Sequence, residues 1–444
     1  MTVPRLVITE NEPTTLLKDF SAFIHGLIEW SPVLTPVNEF ILPIVLCELN
    51  KKMAHPVSNV ASSGEQRSYP NLHLFYHLAL AGRLFQKSLR EGNKLFLKPT
   101  ARVQLYEELT PAEKYFFLLE TLWTDVNWDK LEKGLSFELQ LRVPLALRFL
   151  SEMRPGKEIR LTEEVDKKSR ASLVFGSVSN FLLYFSIFGF WDVIPDEEEA
   201  KRHGSKQHFF AKSITPSSFG VTMAPILLEA REPAYWNLPS RREAGEAKPK
   251  PGFPLPANNP YTSLKRELSL KFGKQKVGIQ VKKGKPGESF FLPFKALFAE
   301  SELQRTLPRE ETGFVDGTYV FKVALRGGLW RRIEISADDT LLSLHRSIQE
   351  AYEFDDDHLY AFFMNGKRWS KEMFTSPYDE DGPHVNQVRI GELGLYVGQK
   401  ILYLFDFGDE WRFQVRLEYI RAEGPKPSRP RIVEKKGKAP NQYG

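Results

Sequence analysis

Asp406-Phe407-Gly408-Asp409-Glu410-Trp411 lies between two segments of alternating apolar character, Lys400 to Phe407 and Glu410 to Tyr419, and the whole reads as a hairpin. A two-residue turn at Gly408-Asp409 sets Phe407 opposite Glu410, Asp406 opposite Trp411, Leu404 opposite Phe413 and Leu402 opposite Val415, all on one apolar face. A four-residue turn keeps the same parity. The other face then carries Ile401, Tyr403 and Phe405 across from Arg412, Gln414 and Arg416. This register puts the Asp406 carboxylate on the core side beside Trp411, where an unpaired charge is costly and must find donors or shift its pKa. Arg331, Arg332, His345 and His358 are its candidate partners, and with Asp409 and Trp411 these residues form a candidate polar pocket. Tyr403, Phe405, Arg412 and Arg416 form an aromatic–basic face that could stack bases and hold phosphates, unless another element covers it.

The elements leading to this hairpin follow from local patterns. Tyr319 to Leu325 and Trp330 to Ile335 read as strands joined through Gly327-Gly328. Asp338 or Asp339 can cap the next helix, whose Leu341, Leu344, Ile348 and Tyr352 share one face at the 3.6-residue period. His345 sits on that apolar face. Leu359 to Met364 reads as a third strand, and Asn365-Gly366 as a tight turn with Lys367 to Ser370 returning. Hairpin, crossing helix and further strand together resemble a β-grasp arrangement. Three roles stay open for Asp406 and His345: satisfied structural residues, a functional polar pocket, or metal ligands. The last needs His345, His358, Asp406 and Asp409 to converge.

At these residues the chain is similar to the Ri-plasmid Orf-three-like domain family, found on plasmids and as passengers of insertion elements. The similarity rests on Trp330-Arg331-Arg332-Ile333, Leu344-His345 with Ile348-Gln349 and Ala351, His358-Leu359 with Phe362, Tyr403, and Asp406 to Trp411. It spans about Gly317 to Gly444. It implies an α/β fold and a mobile-element context, and no particular activity. Many members end in a Pro-Pro-Glu-Asp-Cys-Gly-Gly segment. Here the tail is Lys438-Ala439-Pro440-Asn441-Gln442-Tyr443-Gly444, so no role of those cysteines and acids carries over.

Upstream the chain reads mostly as helix. Thr110-Pro111-Ala112-Glu113 combines a capping threonine, a first-turn proline and a glutamate that can reach back to the cap. Tyr115, Phe116, Leu118, Leu119, Leu122 and Trp123 follow at helical spacing. Thr35-Pro36 and Thr215-Pro216 look like further helix starts, with Pro43 kinking the first of them. Two stretches order themselves as helix, two-stranded wing, helix. One runs from the helix Leu72 to Leu89 through Glu91-Gly92-Asn93 and Lys94 to Lys98. The other runs from a helix ending near Ile187, through Trp191 to Ile194 and His208 to Ile214. These suggest winged-helix modules and a faint internal repeat. The Phe181-Leu182-Leu183-Tyr184-Phe185 helix is too apolar to read base edges, and only Lys167, Lys168 and Arg170 near it suit phosphates.

The expected architecture is therefore α+β, with helical winged-helix-like modules first and a β-grasp-like α/β domain last. Its divisions are 1–135, 136–235, a basic Pro/Gly linker with short elements over 236–312, and 313–444. With 444 residues and 42% hydrophobic content the chain can form real cores. The one cysteine, Cys47, excludes an internal disulfide and a cysteine-built zinc site, and fits a reducing cytoplasm. Met1 to Glu10 lacks the pattern of a secretory signal, and Phe181 to Trp191 is too short for a membrane span, so no membrane partner is expected. Net charge is +5, but Trp236 to Lys295 holds 13 Lys/Arg against 4 Glu, and the tail from Arg421 is basic as well. Such blocks favour polyanions, with Lys282, Lys283 and Lys285 the expected contacts, or they serve as solubilising linker and tail.

Motifs of known chemistry fail on inspection. Asp406-Phe407-Gly408 has no phosphate loop before it, and His345-Arg346 is followed by serine. Gly278 to Lys285 has the wrong spacing for a nucleotide loop, and Leu74 stands where His73 and His77 would need a glutamate. No catalytic residue, cofactor or metal is expected. The reading is a mobile-element-associated accessory protein of unestablished activity that is expected to bind nucleic acid. The alternatives are a protein-interaction scaffold and a metal-dependent hydrolase or nuclease.

Overall fold

The computed structural model describes residues 5–443 apart from 59, 62, 91–93, 133–135, 162–173, 176, 177, 179, 203–208, 256–284 and 310–313. Helices and antiparallel sheets combine in an α+β fold. The chain forms two compact units. The first comprises Met1–Gln86, Phe96–Ser240 and Lys250–Leu307, and the second Lys87–Leu95, Arg241–Pro249 and Pro308–Gly444.

In the first unit α1 (Leu16–Trp30) buries Leu16, Phe20, Phe23, Ile24 and Leu27, one face at helical spacing. After it Val33 makes a single bridge to Phe96, then come α2 (Pro43–Lys51), α3 (Pro70–Ala81), β1 (Phe85–Arg90) and β2 (Lys94–Pro99), with Phe96 on β2, while Lys87–Leu95 of this hairpin groups with the second unit. Next come α4 (Arg102–Glu107) and α5 (Pro111–Glu120). The α5 cap has the expected geometry: Thr110 Oγ1 accepts from the Glu113 amide at 3.2 Å, and the Thr110 amide donates to Glu113 Oε2 at 3.1 Å. Further on are α6 (Ser136–Ser151), β3 (Ile159–Arg160), α7 (Phe181–Ile187), β4 (Trp191–Pro195), β5 (Ala211–Pro216) and α8 (Ser218–Ala230). Among the described residues β3, β5 and β4 form a sheet with β5 in the middle. The order therefore recurs. A helix is followed by a short extended piece that pairs with the second strand of a later hairpin, and a helix immediately precedes that hairpin.

Three expectations change here. Thr35-Pro36 starts no helix: Thr35 accepts the Glu39 amide at its carbonyl and the Phe40 amide at its hydroxyl, and Leu34 bridges Ile41, so the segment is a closed loop. Pro43 kinks nothing, because it is the first residue of α2, where its missing N–H costs no bond. Thr215-Pro216 ends β5, and Ser217 caps α8 by accepting the Gly220 amide at 2.8 Å. Within 236–312 the stretch from Phe290 to Leu307 is packed. Phe290, Phe294, Leu297, Phe298 and Leu303 are buried, and Phe290 packs on Trp236 at 5.6 Å.

Among the described residues of 308–444 the second unit has an antiparallel sheet crossed by one α-helix. Its strands are β6 (Thr318–Ala324), β7 (Trp330–Ser336), β8 (Tyr360–Phe363), β9 (Met373–Thr375), β10 (Lys400–Phe405), β11 (Trp411–Arg421) and β12 (Arg431–Lys436). They lie in the order β12-β7-β6-β11-β10-β8-β9. The helix α9 (Leu341–Tyr352) buries Leu341, Leu344, His345, Ile348 and Tyr352 against this sheet. Its cap is Thr340, whose hydroxyl accepts from Ser343. Asp339 instead accepts the Ser336 amide.

The hairpin register differs from the expected one by a residue. Phe405 pairs with Trp411, Tyr403 with Phe413 and Ile401 with Val415. The loop 406–410 is thus odd in length, and an odd loop reverses the faces. It closes because Asp406 and Glu410 both take left-handed conformations, with φ 57° and 52°. The Glu410 amide donates to the Asp406 carbonyl at 2.7 Å, and Asp406 Oδ1 accepts from the Gly408 and Asp409 amides at 2.8 and 3.3 Å. Ile401, Tyr403, Phe405, Phe413 and Val415 consequently face α9 in the core. Leu404 and the partly buried Leu402 take the other side, with Ala361 and Phe363.

The Asn365-Gly366 turn is also longer than expected. Phe363 pairs with Met373, so Lys367 to Ser370 is loop rather than returning strand. The Asn365 side chain closes that loop by accepting from the Lys367 amide at 3.0 Å and donating to Ser370 Oγ at 2.6 Å.

Candidate functional site

The helix α9 and the strands beneath it enclose a polar chain in an otherwise apolar core. His345 is wholly buried and its ring lies flat on that of Tyr360, 3.6 Å between centroids and 4° between planes. Its Nε2 is 2.8 Å from Asp356 Oδ1, and its Nδ1 is 2.7 Å from the Tyr403 hydroxyl. A carboxylate only accepts, so Nε2 carries a proton, and because burial keeps the ring neutral Nδ1 is left to accept from Tyr403. The Tyr403 oxygen in turn accepts from Gln349 Nε2 at 2.7 Å. Every bond in the chain has one direction, from Gln349 through Tyr403 and His345 to Asp356. The ring is neutral because burial holds its pKa down at about 4 against the opposing pull of Asp356. Burial also pushes the Tyr403 hydroxyl well above its ordinary range. With both nitrogens engaged, His345 offers neither a free base nor a metal ligand. Its place is to fasten α9 to β8 and β10.

The other expected pocket residues do not gather around it. Arg331 lies on the helix side of β7. It donates from Nε to the Ala351 carbonyl at 2.8 Å and from Nη1 to Lys436 at 3.1 Å, and its guanidinium covers the Tyr352 ring at 4.8 Å. That caps the carbonyl end of α9 with a cation, where the helix dipole favours one. Arg332 points the other way and pairs with Glu418 and Glu434. Neither reaches Asp406. Asp406 sits in the loop rather than on the core face, satisfied by its own turn amides. Of the four proposed partners only His358 is near, 3.5 Å from Nε2 to Oδ2. Trp411 packs edge-on to Phe354 at 4.8 Å, and its indole nitrogen has no hydrogen-bond partner among the described residues. Asp409 is exposed at the turn.

The aromatic–basic face is corrected by the same register. Tyr403 and Phe405 are fully buried and cannot stack a ligand. Arg412 remains exposed and pairs with Glu410, while Arg416 is partly buried. Lys282 and Lys283 lie outside the described residues. Lys285 is exposed, and its amide donates to Glu288 at 2.7 Å.

Residues 317–442 match the family described as plasmid pRiA4b ORF-3-like protein. This is the stretch over which the sequence resembled that family. No curated protein matches. A solved protein of unknown function, MM3350 from Methanosarcina mazei Go1, is 24% identical over 29% of this chain and 73% of its own. Its TM-score is 0.25.

Two features of the ORF-3-like segment were not foreseen. The first is its tail. Gln442 brackets the acidic loop before β8, accepting the Asp355 amide at 2.6 Å and donating to the Asp355 carbonyl at 3.2 Å, while the Tyr443 hydroxyl donates to Asp357 at 2.5 Å. That bond, with the carboxylates of Asp355 and Asp406 nearby, raises the Tyr443 pKa to about 12. A glutamine and a tyrosine in a basic tail give no pattern that announces this. The second is Trp369, an exposed ring in the ORF-3-like segment that the assumed tight turn concealed. No helix among the described residues is long and apolar enough to cross a membrane, and no group of three or more His, Cys, Asp or Glu could hold a metal ion there.

Proposed function

We propose that the chain is a nucleic-acid-binding accessory protein of a mobile element, acting without chemistry of its own. The observation that carries this reading is the repeated order of elements from α1 to α8 along the chain. Val33 pairs with β2 and β3 pairs with β5, so each hairpin has its second strand between the first strand and an early extended piece. Two copies of that arrangement, each with a helix just before the hairpin, support winged-helix modules. The match of residues 317–442 to a plasmid family supports the mobile-element setting.

The helices α3 and α7, which precede the two hairpins, do not suit base reading. Leu72, His73, Leu74, Phe75, Tyr76 and Leu78 of α3 are buried, as are Phe181, Leu182, Tyr184 and Phe185 of α7. Contact therefore goes through phosphates and is indifferent to sequence. The test is fluorescence anisotropy of the full chain against single- and double-stranded DNA and RNA, titrated with salt. Steeply salt-dependent binding without sequence preference is the expected result. No binding near ~50 mM salt, where phosphate contacts are strong, overturns it.

The buried α3 and α7 also favour a second reading, in which the first unit is a protein-interaction scaffold. A salt-independent failure to bind any nucleic acid, together with a defined self-association by light scattering, selects it. The metal-hydrolase reading draws no support, since His345 has no nitrogen to offer.

A further inference from the structure

We infer that Trp369, with Phe407 and the arginines beside it, is a stacking platform for unpaired bases of single-stranded nucleic acid. This deepens the nucleic-acid reading and rests on it.

The outer face of the sheet, opposite α9, ends at β8 and β10 in Phe363, Leu404, Phe407 and Trp369. Trp369 stands edge-on to Phe407 at 5.3 Å and to Phe363 at 5.9 Å, yet the residue is 54% exposed. Its backbone has φ 58°, a left-handed conformation that a bulky residue adopts only at a cost. The loop that imposes it is closed by Asn365 and Ser370 and leaves the ring edge-on to Phe363 and Phe407 with over half of the residue in water. Strain that keeps an aromatic ring in water points to a use for the ring.

The charge around it fits an anionic strand. Arg368 donates to both oxygens of Glu410, at 2.6 and 2.8 Å, and Arg412 pairs with the same carboxylate. Two guanidiniums share one carboxylate, and across the two loops Lys367, Arg368, Lys371, Lys400 and Arg412 stand against Glu372, Asp406, Asp409 and Glu410, an excess of one cation. Lys400, on the same sheet face as Arg412, is also exposed, and Asp409 is the nearby acid that opposes it. Aromatic faces take any base and the cations take the backbone, which is how single strands are bound without sequence reading. A duplex hides its base faces within the stack and gives such a platform only phosphates to hold.

The test compares the full-length wild type with Trp369→Ala, Trp369→Phe and Phe407→Leu by anisotropy of a labelled oligothymidylate and of a duplex, after thermal melts confirm folding. Because Trp369 is exposed, its replacement leaves the fold intact. Trp369→Ala is expected to weaken single-strand binding by roughly 5- to 150-fold, with Trp369→Phe restoring most of it and duplex binding little changed. Wild-type binding that Trp369→Ala and Phe407→Leu leave unchanged overturns the platform while the general nucleic-acid reading stands. Equal losses on single strand and duplex also overturn it. Failure of the wild type to bind any nucleic acid removes both.

Discussion

His345 is polar, wholly buried and fully satisfied, and its value is visible in what its loss would strand. In His345→Ala the Tyr403 hydroxyl loses its acceptor inside the core and the Tyr360 ring loses the surface it stacks on. The expected cost is about 2–4 kcal/mol, read from urea denaturation, since a buried orphan and a cavity add together. Asp356→Asn removes only the half-exposed end of the chain, and a change within about 1 kcal/mol is expected there. Equal costs for the two would mean that the carboxylate, and not the Tyr403 bond, holds the ring. The sequence placed His345 on the apolar face because the 3.6-residue period is a local signal. It could not name Tyr403 as the partner, because the assumed register sent Tyr403 to the opposite side of the sheet.

At the scale of elements, legibility followed how local the deciding interaction is. The α5 cap was readable because all its parts lie within Thr110 to Glu113, and Thr110→Ala should cost about 1 kcal/mol of stability. The hairpin strands were readable from alternation, but not their register, which turns on positive φ at Asp406 and Glu410. Aspartate tolerates that conformation and glutamate does not announce it, so a five-residue loop looked like a two-residue one. Asn365-Gly366 misled in the same way, since the Asn365 side chain closes a longer loop. The loop account makes its own prediction. Asp406→Ala loses the acceptor for two amides and gains left-handed strain, and should cost about 1–2 kcal/mol. Asp406→Asn keeps the acceptor and should be close to neutral in the same thermal melts. If both variants melt alike, the side chain does not set the loop.

Across the whole molecule the two units should answer acid differently. In the second unit, burial holds His345 at about 4 against an ordinary 6.5. The unfolded chain takes up a proton there that the folded one refuses, so stability falls as pH falls from 6.5 towards 4, by about 3 kcal/mol in all. Glu392 joins in only below pH 4.5: burial opposes it, but Arg389 and Lys248 outweigh that and hold it at about 2. The first unit contains a compensating pair. His73 is held at about 4 by burial, with Arg67 adding to it, and its ring is fixed neutral between Gln66 and the Lys130 carbonyl. Burial pushes Glu132 up to about 7, partly offset by Asn180. Between pH 4.5 and 6.5 the unfolded chain protonates His73 and ionises Glu132, while the folded chain does the reverse. Both states bind the same number of protons at these two sites, and the slope there vanishes. Scanning calorimetry should therefore show two transitions, of which the one lowered by His345→Ala drops on acidification through this range while the other holds. Glu132→Gln removes the compensation. The steady transition should then become acid-sensitive, and above pH 7 it should rise, because no ionised carboxylate remains to be buried. A single transition, or two that fall together in the wild type, would show that the protonation of the two units is not separable in this way.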